Sequence, residues 1–260
     1  MKNSILLSAH RGNSAFYPEN TMIAFESALG MSVDMLEFDL HMTKDKQIIM
    51  MHDQKVDRTT NGTGMIRDLT FTEIEKLDAG EWKGPQFKGT KVPSFEEFCK
   101  LLQTRPDIGL CVELKDYPKD GADWAFESAD RSIELIERYG LSQQSVINSF
   151  SGELLEYVDA KYNHRYKLHG YYPLHLLGEN MQYDPYDYLY CICMFGTKEE
   201  PISPKEAFDY AIKRHVRPWV YYPDDSQQSY DIAIEYGAEL ITANDPQKAL
   251  AYLQKKGLHQ

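Results

Sequence analysis

Leu36-Glu37-Phe38-Asp39-Leu40-His41-Met42 alternates apolar and polar residues without a break. A period of two sends successive side chains to opposite faces of a strand, so Leu36, Phe38, Leu40 and Met42 share one face and Glu37, Asp39 and His41 the other. Leu110-Cys111-Val112-Glu113-Leu114-Lys115 carries the same phase, with Glu113 and Lys115 on the polar face. For either strand alone, ordinary acids on a solvated edge would be explanation enough. Two strands in one phase point instead to a shared polar interior. Buried like charges repel and raise each other's pKa unless a cation sits between them. Glu37, Asp39 and Glu113 are hard oxygen ligands, and one divalent cation, Ca²⁺ or Mg²⁺, is expected among them.

Outward from these segments, short β-type runs recur at Ile5–Ser8, Ile48–Met51, Ser145–Asn148, Tyr166–Leu168, Tyr188–Cys193, Arg217–Tyr221 and Leu240–Thr242. Helical signals lie between them. Asn20-Thr21 precedes Met22, Ala24, Phe25 and Leu29, with Gly30 as the stop, and Ser94 with Glu97 makes a capping box. Ser203-Pro204 and Asp245-Pro246 place a capping side chain before a Pro at the first helical position. Ser151–Lys161 and Ser226–Tyr236 are further helices. Alternating strands and helices argue for a parallel sheet. With Met35–His41 and Ile48–Met51 counted as one stave and its returning extension, the units number eight, which in 260 residues fits a (β/α)₈ barrel. An open doubly wound sheet is the alternative, but no G-x-G-x-x-G follows a strand.

From Asp53 to Val92 the alternation stops. This stretch carries Asn61-Gly62-Thr63-Gly64 and Lys83-Gly84-Pro85, and only Thr72–Leu77 looks helical, capped by Thr70 or Thr72. The chain is therefore expected to be one barrel domain over 1–260, with 53–92 inserted between the second strand and its helix. Long connections of this kind are commonly functional.

The balance of 28 basic against 40 acidic residues gives a net charge of −12 and offers no polybasic run to nucleic acid or an anionic membrane. The apolar stretch within Met1–His10 is too short for a signal-peptide core, and no later run reaches the length of a membrane span. Cys99, Cys111, Cys191 and Cys193 have neither a disulfide framework's number nor the CxxC spacing, so packed free thiols are expected. Together these features point to a cytoplasmic protein with a small-molecule partner.

His10-Arg11-Gly12 follows the first strand, and His52-Asp53 follows Ile48–Met51. A lone histidine at a strand end is usually structural. Two at C-terminal ends of barrel strands lie on the face where barrel active sites form, and His suits proton transfer near neutral pH. Arg11 offers a planar charged fork for phosphate oxygens, and Lys115 a point charge beside Glu113. Both could equally pair with the carboxylates. His41 shares the inward face and is a candidate support for the metal strand. Trp219 is either an apolar wall of the pocket or core packing. His164, His169, His175 and His215 have no evident chemical partner.

These stretches, with Pro18-Glu19-Asn20-Thr21, Arg58-Thr59-Thr60-Asn61-Gly62-Thr63-Gly64, Asn148-Ser149-Phe150 and Thr242-Ala243-Asn244-Asp245-Pro246, resemble the glycerophosphodiester phosphodiesterases in both content and order. That family is similar to phosphoinositide-specific phospholipase C. The resemblance covers nearly the whole chain. It implies a (β/α)₈ barrel in which Glu37, Asp39 and Glu113 bind a divalent metal, His10 and His52 form the acid–base pair, and 53–92 is the family's small insertion. The implied reaction is metal-dependent hydrolysis of glycerophosphodiesters to sn-glycerol 3-phosphate and an alcohol, a step in glycerol and lipid metabolism. Where family members often read Trp-Thr-Val-Asn, this chain reads Trp219-Val220-Tyr221-Tyr222, and Tyr166–Tyr172 and Tyr183–Tyr190 also depart. Two rivals follow: a phospholipase D-like lyase that releases cyclic phosphate from lysolipids, and a retired barrel that only binds a ligand.

Overall fold

The computed structural model describes residues 4–195 and 202–259; Met1-Lys2-Asn3, the start of the N-terminal stretch, lies outside them. The strands are β1 (Leu6–His10), β2 (Met35–Met42), β3 (Ile48–Met50), β4 (Gly109–Leu114), β5 (Ser145–Asn148), β6 (Lys167–Tyr172), β7 (Cys191–Phe195), β8 (Arg217–Tyr221) and β9 (Leu240–Ala243). All but β3 run parallel to their neighbours, and β9 pairs with β1 to close a barrel of eight staves. β3 turns back antiparallel on the end of β2, as an extension of that stave.

The helices are α1 (Met22–Leu29), α2 (Phe71–Ile74), α3 (Phe95–Leu102), α4 (Ala122–Arg138), α5 (Gly152–Lys161), α6 (Pro185–Tyr188), α7 (Lys205–Lys213), α8 (Gln227–Tyr236) and α9 (Pro246–Lys255). None among the described residues is long and apolar enough to cross a membrane. On the outside of β2, Phe38 packs against Phe25 of α1 and Phe95 and Phe98 of α3, with ring centroids 4.8–6.1 Å apart. On the inside, Met35, Cys111, Val146, Cys191, Trp219 and Leu240 form a separate apolar layer. Barrel interiors are filled by such layers, so the polar residues further along the strands stand above a packed floor. All four cysteines are buried and unbridged.

The stretch after β3 builds a small core of its own. Ile49 and Met51 pack with Val56, Ile66, Ile74, Ala79 and Val92, while Ile48 and Met50 face the main core. One strand edge is thus shared between two cores by simple alternation. Thr70 caps α2 through a reciprocal box with Glu73.

Several elements differ from the sequence expectation. The 17-residue α4 carries no side-chain cap, because Gly121 precedes it, and Ser128 and Ser132 dilute its buried face; it was not expected. β6 runs on to Tyr172, and β7 begins at Cys191 because Pro185–Tyr188 forms a helical turn. Pro204 sits at the cap position of α7 and not inside it, and the Ser203 hydroxyl donates to the Phe195 carbonyl.

Candidate active site

The chain leaves β1 through Arg11 and Gly12, both in left-handed backbone conformation. A Cβ on Gly12 would lie 2.7 Å from the backbone of Ala24, so this turn requires glycine. The tight turn brings the Arg11 amide to the Glu37 carboxylate at 3.1 Å and the Arg11 guanidinium to Asp39 at 3.2 Å and Glu19 at 2.8 Å.

Glu37 and Asp39 of β2 and Glu113 of β4 are buried, and one oxygen from each lies within 4.8 Å of the others. Register pairs Asp39 with Glu113 across the two strands. Lys115 Nζ lies 2.9 Å from Glu113 and 3.7 Å from Asp39. Burial pushes the Glu37 carboxyl well above its ordinary range, and repulsion from Asp39 and Glu113 adds to this. Burial works on Asp39 in the same direction, but Arg11 and Lys115 beside it hold it well below. Two cations therefore stand among three carboxylates, and Asp39 Oδ1 is buried without a hydrogen-bond donor. An excess of negative charge and an orphaned oxygen are what a small divalent cation would satisfy, so the donor set fits one.

His10, at the end of β1, places Nδ1 2.6 Å from Asn244 Oδ1 and Nε2 3.7 Å from Glu37. Burial lowers its pKa to about 3, with Arg11 adding to the effect. The ring is neutral, and an Nδ1 proton donated to Asn244 leaves the Nε2 lone pair free. His52 is held by Asp53, 2.6 Å from its Nδ1. Arg58 grips Asp53 through two hydrogen bonds of 2.7 and 3.0 Å and grips Glu19 through two more. Since Glu19 also binds Arg11, a continuous chain of charge runs from His52 to Asp39. His41 supports the same histidine from below, with Nδ1 on Asp116 at 2.9 Å and Nε2 3.2 Å from the His52 carbonyl oxygen.

His10, Arg11, Glu37, His52 and Glu113 line one cavity of about 480 Å³ that opens to solvent. The rest of its lining is largely aromatic: Phe150 stacks on Tyr171 at 3.6 Å, and Phe195 and Tyr221 continue the row, Tyr221 packing on His10 at 4.4 Å. Asn148, His169, Cys193 and Thr242 complete the lining.

Trp219 is not on this wall. It is 3% exposed in the apolar floor layer, and the wall position belongs to Tyr221, which the period of two puts on the same inward face one layer higher. Tyr222 points the other way into the outer core, so only one of the two tyrosines that replace the family's usual residues faces the cavity. His169 does have partners, the Cys111 thiol at 3.3 Å and the rings of Tyr171 and Trp219. Extending β6 by the same alternation would have put His169 and Tyr171 inward. Asn244 and Arg58 lie in quoted motifs, but only the folded chain brings them to His10 and His52.

His169 also carries a pH signature. It faces the Cys111 thiol and the Tyr171 phenol, both pushed toward their uncharged forms by burial, and burial lowers its own pKa to about 3. The unfolded chain binds this proton near pH 6.5. Between those values the unfolded state holds a proton that the folded state lacks, so stability falls as pH drops, by about 1.4 kcal/mol per pH unit. His169→Phe should flatten the urea-unfolding free energy between about pH 6 and 4 by roughly that slope. Parallel curves for the two proteins would refute the assignment.

The molecule is thus an eight-stave barrel with histidines and buried carboxylates gathered toward the C-terminal ends of its strands, the face where barrel active sites lie. The sequence profile of the Glycerophosphoryl diester phosphodiesterase family matches residues 10–246, and the chain belongs to that family. YhdW of Bacillus subtilis, provisionally named a glycerophosphodiester phosphodiesterase, is 42% identical over 143 residues, which are 55% of this chain and 56% of that protein. A second Bacillus subtilis protein, named glycerophosphodiester phosphodiesterase, is 39% identical over 160 residues, covering 58% of this chain and 54% of its own. The chain thus spans just over half the length of these relatives. An Oleispira antarctica phosphodiesterase, solved in complex with the product sn-glycerol-3-phosphate, superposes with a TM-score of 0.81 at 20% identity over 96% of this chain and 97% of its own.

Proposed function

We propose that the protein hydrolyses a glycerophosphodiester to sn-glycerol 3-phosphate and an alcohol with the help of a divalent cation. The observation that carries this reading is the meeting of His10 and His52 in one cavity with three buried carboxylates that two neighbouring cations balance only in part. The product bound to the Oleispira relative has the chemistry such a cavity would release.

Glu37, Asp39 and Glu113 would hold Ca²⁺ or Mg²⁺, which when bound offsets their charge and acts as a Lewis acid toward a phosphate oxygen. Arg11 and Lys115 each donate to the remaining phosphate oxygens, the guanidinium by its planar fork and the ammonium as a point charge. His10, neutral and with Nε2 free, takes the proton of the attacking water. His52, oriented by Asp53, gives a proton to the leaving alkoxide as the phosphorus–oxygen bond breaks. Tyr221, and not Trp219, forms the apolar wall beside the substrate. Residues 53–92 act as an inserted subdomain on a single barrel domain, because they build a small core of their own and supply Asp53 and Arg58 to the His52 support. Buried thiols suit a reducing compartment, and a cytoplasmic location belongs to this proposal.

The glycerophosphate half should be read tightly and the alcohol half loosely. Charged groups converge on the phosphate. Beside them, sharing Phe150, lies a wide cleft of about 1100 Å³ open to solvent. A site that pairs buried polar groups rejects an analogue lacking them far more strongly than an open wall rejects a changed substituent. Glycerophosphocholine, glycerophosphoethanolamine and glycerophosphoglycerol should therefore be cleaved with similar kcat/KM, and bis(p-nitrophenyl) phosphate should be poor despite its better leaving group. A preference beyond about a hundredfold for one headgroup, or for a lysophospholipid, would overturn this.

A further inference from the structure

Away from the charged cluster, two polar atoms of the described cavity lining have no hydrogen-bond partner. Asn148 Oδ1 and His169 Nε2 belong to side chains that are 1% and 5% exposed, and neither atom meets a hydrogen-bonding group of the protein. Leaving a buried donor or acceptor unmet costs its full desolvation, so such atoms call for an explanation. Both residues line the cavity that holds Glu37 and Glu113. Register pairs Asn148 of β5 directly with His169 of β6, and neighbouring strands lie about 4.8 Å apart, so the two side chains stand next to each other on the inner wall.

What lies behind them bears on their hydrogen-bonding sense. Tyr171 donates its hydroxyl proton to Glu113 at 3.2 Å and so must accept from the Asn148 amide nitrogen, 2.7 Å away. That orients the amide with Oδ1 as a free acceptor. Cys111 Sγ and His169 Nδ1 are hydrogen-bonded at 3.3 Å, and with the thiol as donor the ring carries its own proton on Nε2, toward the cavity. Tyr171, stacked on the imidazole at 5.3 Å, and Trp219, edge-on to it at 5.0 Å, hold its plane in place. A free acceptor beside a free donor matches an alcohol, whose O–H donates to one and whose oxygen accepts from the other.

We propose that Asn148 and His169 form a hydroxyl-reading pair that recognises the glycerol hydroxyls of the substrate, with His169 as the specificity-determining residue. The inference deepens the phosphodiesterase reading by assigning the polyol half of the ligand to particular atoms. It explains why an imidazole is held with its Nε2 unpaired in a largely aromatic lining.

The test is calorimetric binding of two phosphomonoesters at one fixed, saturating concentration of Mg²⁺ or Ca²⁺. sn-Glycerol 3-phosphate carries the hydroxyls, and ethyl phosphate lacks them. Wild type should prefer the first by about tenfold or more. His169→Phe keeps the aromatic packing and deletes the nitrogen; it should bind ethyl phosphate as wild type does and lose most of the preference. His169→Gln, which can return an N–H to nearly the same place, should keep a large part of it. A wild type with no preference overturns the inference, as does a His169→Phe protein whose preference stays within about threefold of wild type. Equal affinity of all three proteins for ethyl phosphate separates the effect from misfolding. Intact preference in a wild type that cleaves no diester would leave this inference standing and count against the phosphodiesterase reading alone.

Discussion

His10→Ala and His52→Ala are each expected to lower kcat by about 10²–10⁴-fold while leaving cation affinity little changed. Neither histidine belongs to the carboxylate trio. His10 approaches Glu37 only to 3.7 Å, and His52 is anchored on Asp53, so removing either ring leaves the three acids in place. The two losses should differ in pH behaviour. His10 is neutral down to about pH 3 because it is buried beside Arg11, so the base does not titrate across the working range and the acid limb of the profile has another source. Asn244→Ala, which frees the His10 ring to turn, should reproduce part of the His10→Ala loss in kcat with a smaller change in KM. Stopped-time assays with metal affinity measured on the same preparations decide the matter. If His52→Ala turns over like wild type, the acid–base pair is misassigned.

The carboxylates should separate into two behaviours although all three belong to one proposed cation site. Each of Glu37→Gln, Asp39→Asn and Glu113→Gln should weaken cation binding by about two orders of magnitude or more, because ligand charge count sets the affinity of such oxygen sites. Without metal, Glu37→Gln removes a charge that burial and its neighbours already oppose, so the metal-free protein should unfold at the same temperature as wild type or higher. Asp39→Asn instead strips a buried counter-charge from Arg11 and Lys115, and breaking a buried pair from one side costs about 3–5 kcal/mol. Its melting temperature in EDTA should fall well below wild type. Thermal unfolding with chelator, set beside calorimetric metal titration, tests both halves. Wild-type metal affinity in Glu37→Gln would remove the carboxylate assignment.

Strict alternation in two strands was enough to place Glu37, Asp39 and Glu113 inward, because a period of two leaves no freedom once one face packs on helices. The same rule gave Leu36, Phe38, Leu40 and Met42 to the outer core. It failed at β6, where the inward positions are His169 and Tyr171 and the outward ones include Gly170, so neither face reads as apolar. It failed again at α4, whose buried stripe contains Ser128 and Ser132 and whose start has no capping side chain. Trp219 shows a different limit. Its strand and its inward phase follow from sequence, but its layer depends on the stagger of staves around the barrel, which no single strand encodes. The links between Arg58 and Glu19 and between Asn244 and His10 span 39 and 234 residues and exist only once the barrel has closed.

The most direct test of the central claim follows glycerophosphocholine by phosphorus NMR with the metal-stripped protein, before and after adding Mg²⁺ or Ca²⁺. The account predicts no change without the cation and, with it, complete conversion of the diester resonance to that of sn-glycerol 3-phosphate. Equal turnover after exhaustive chelation, an inert substrate with either cation, or a stable cyclic phosphate as the end product would contradict it.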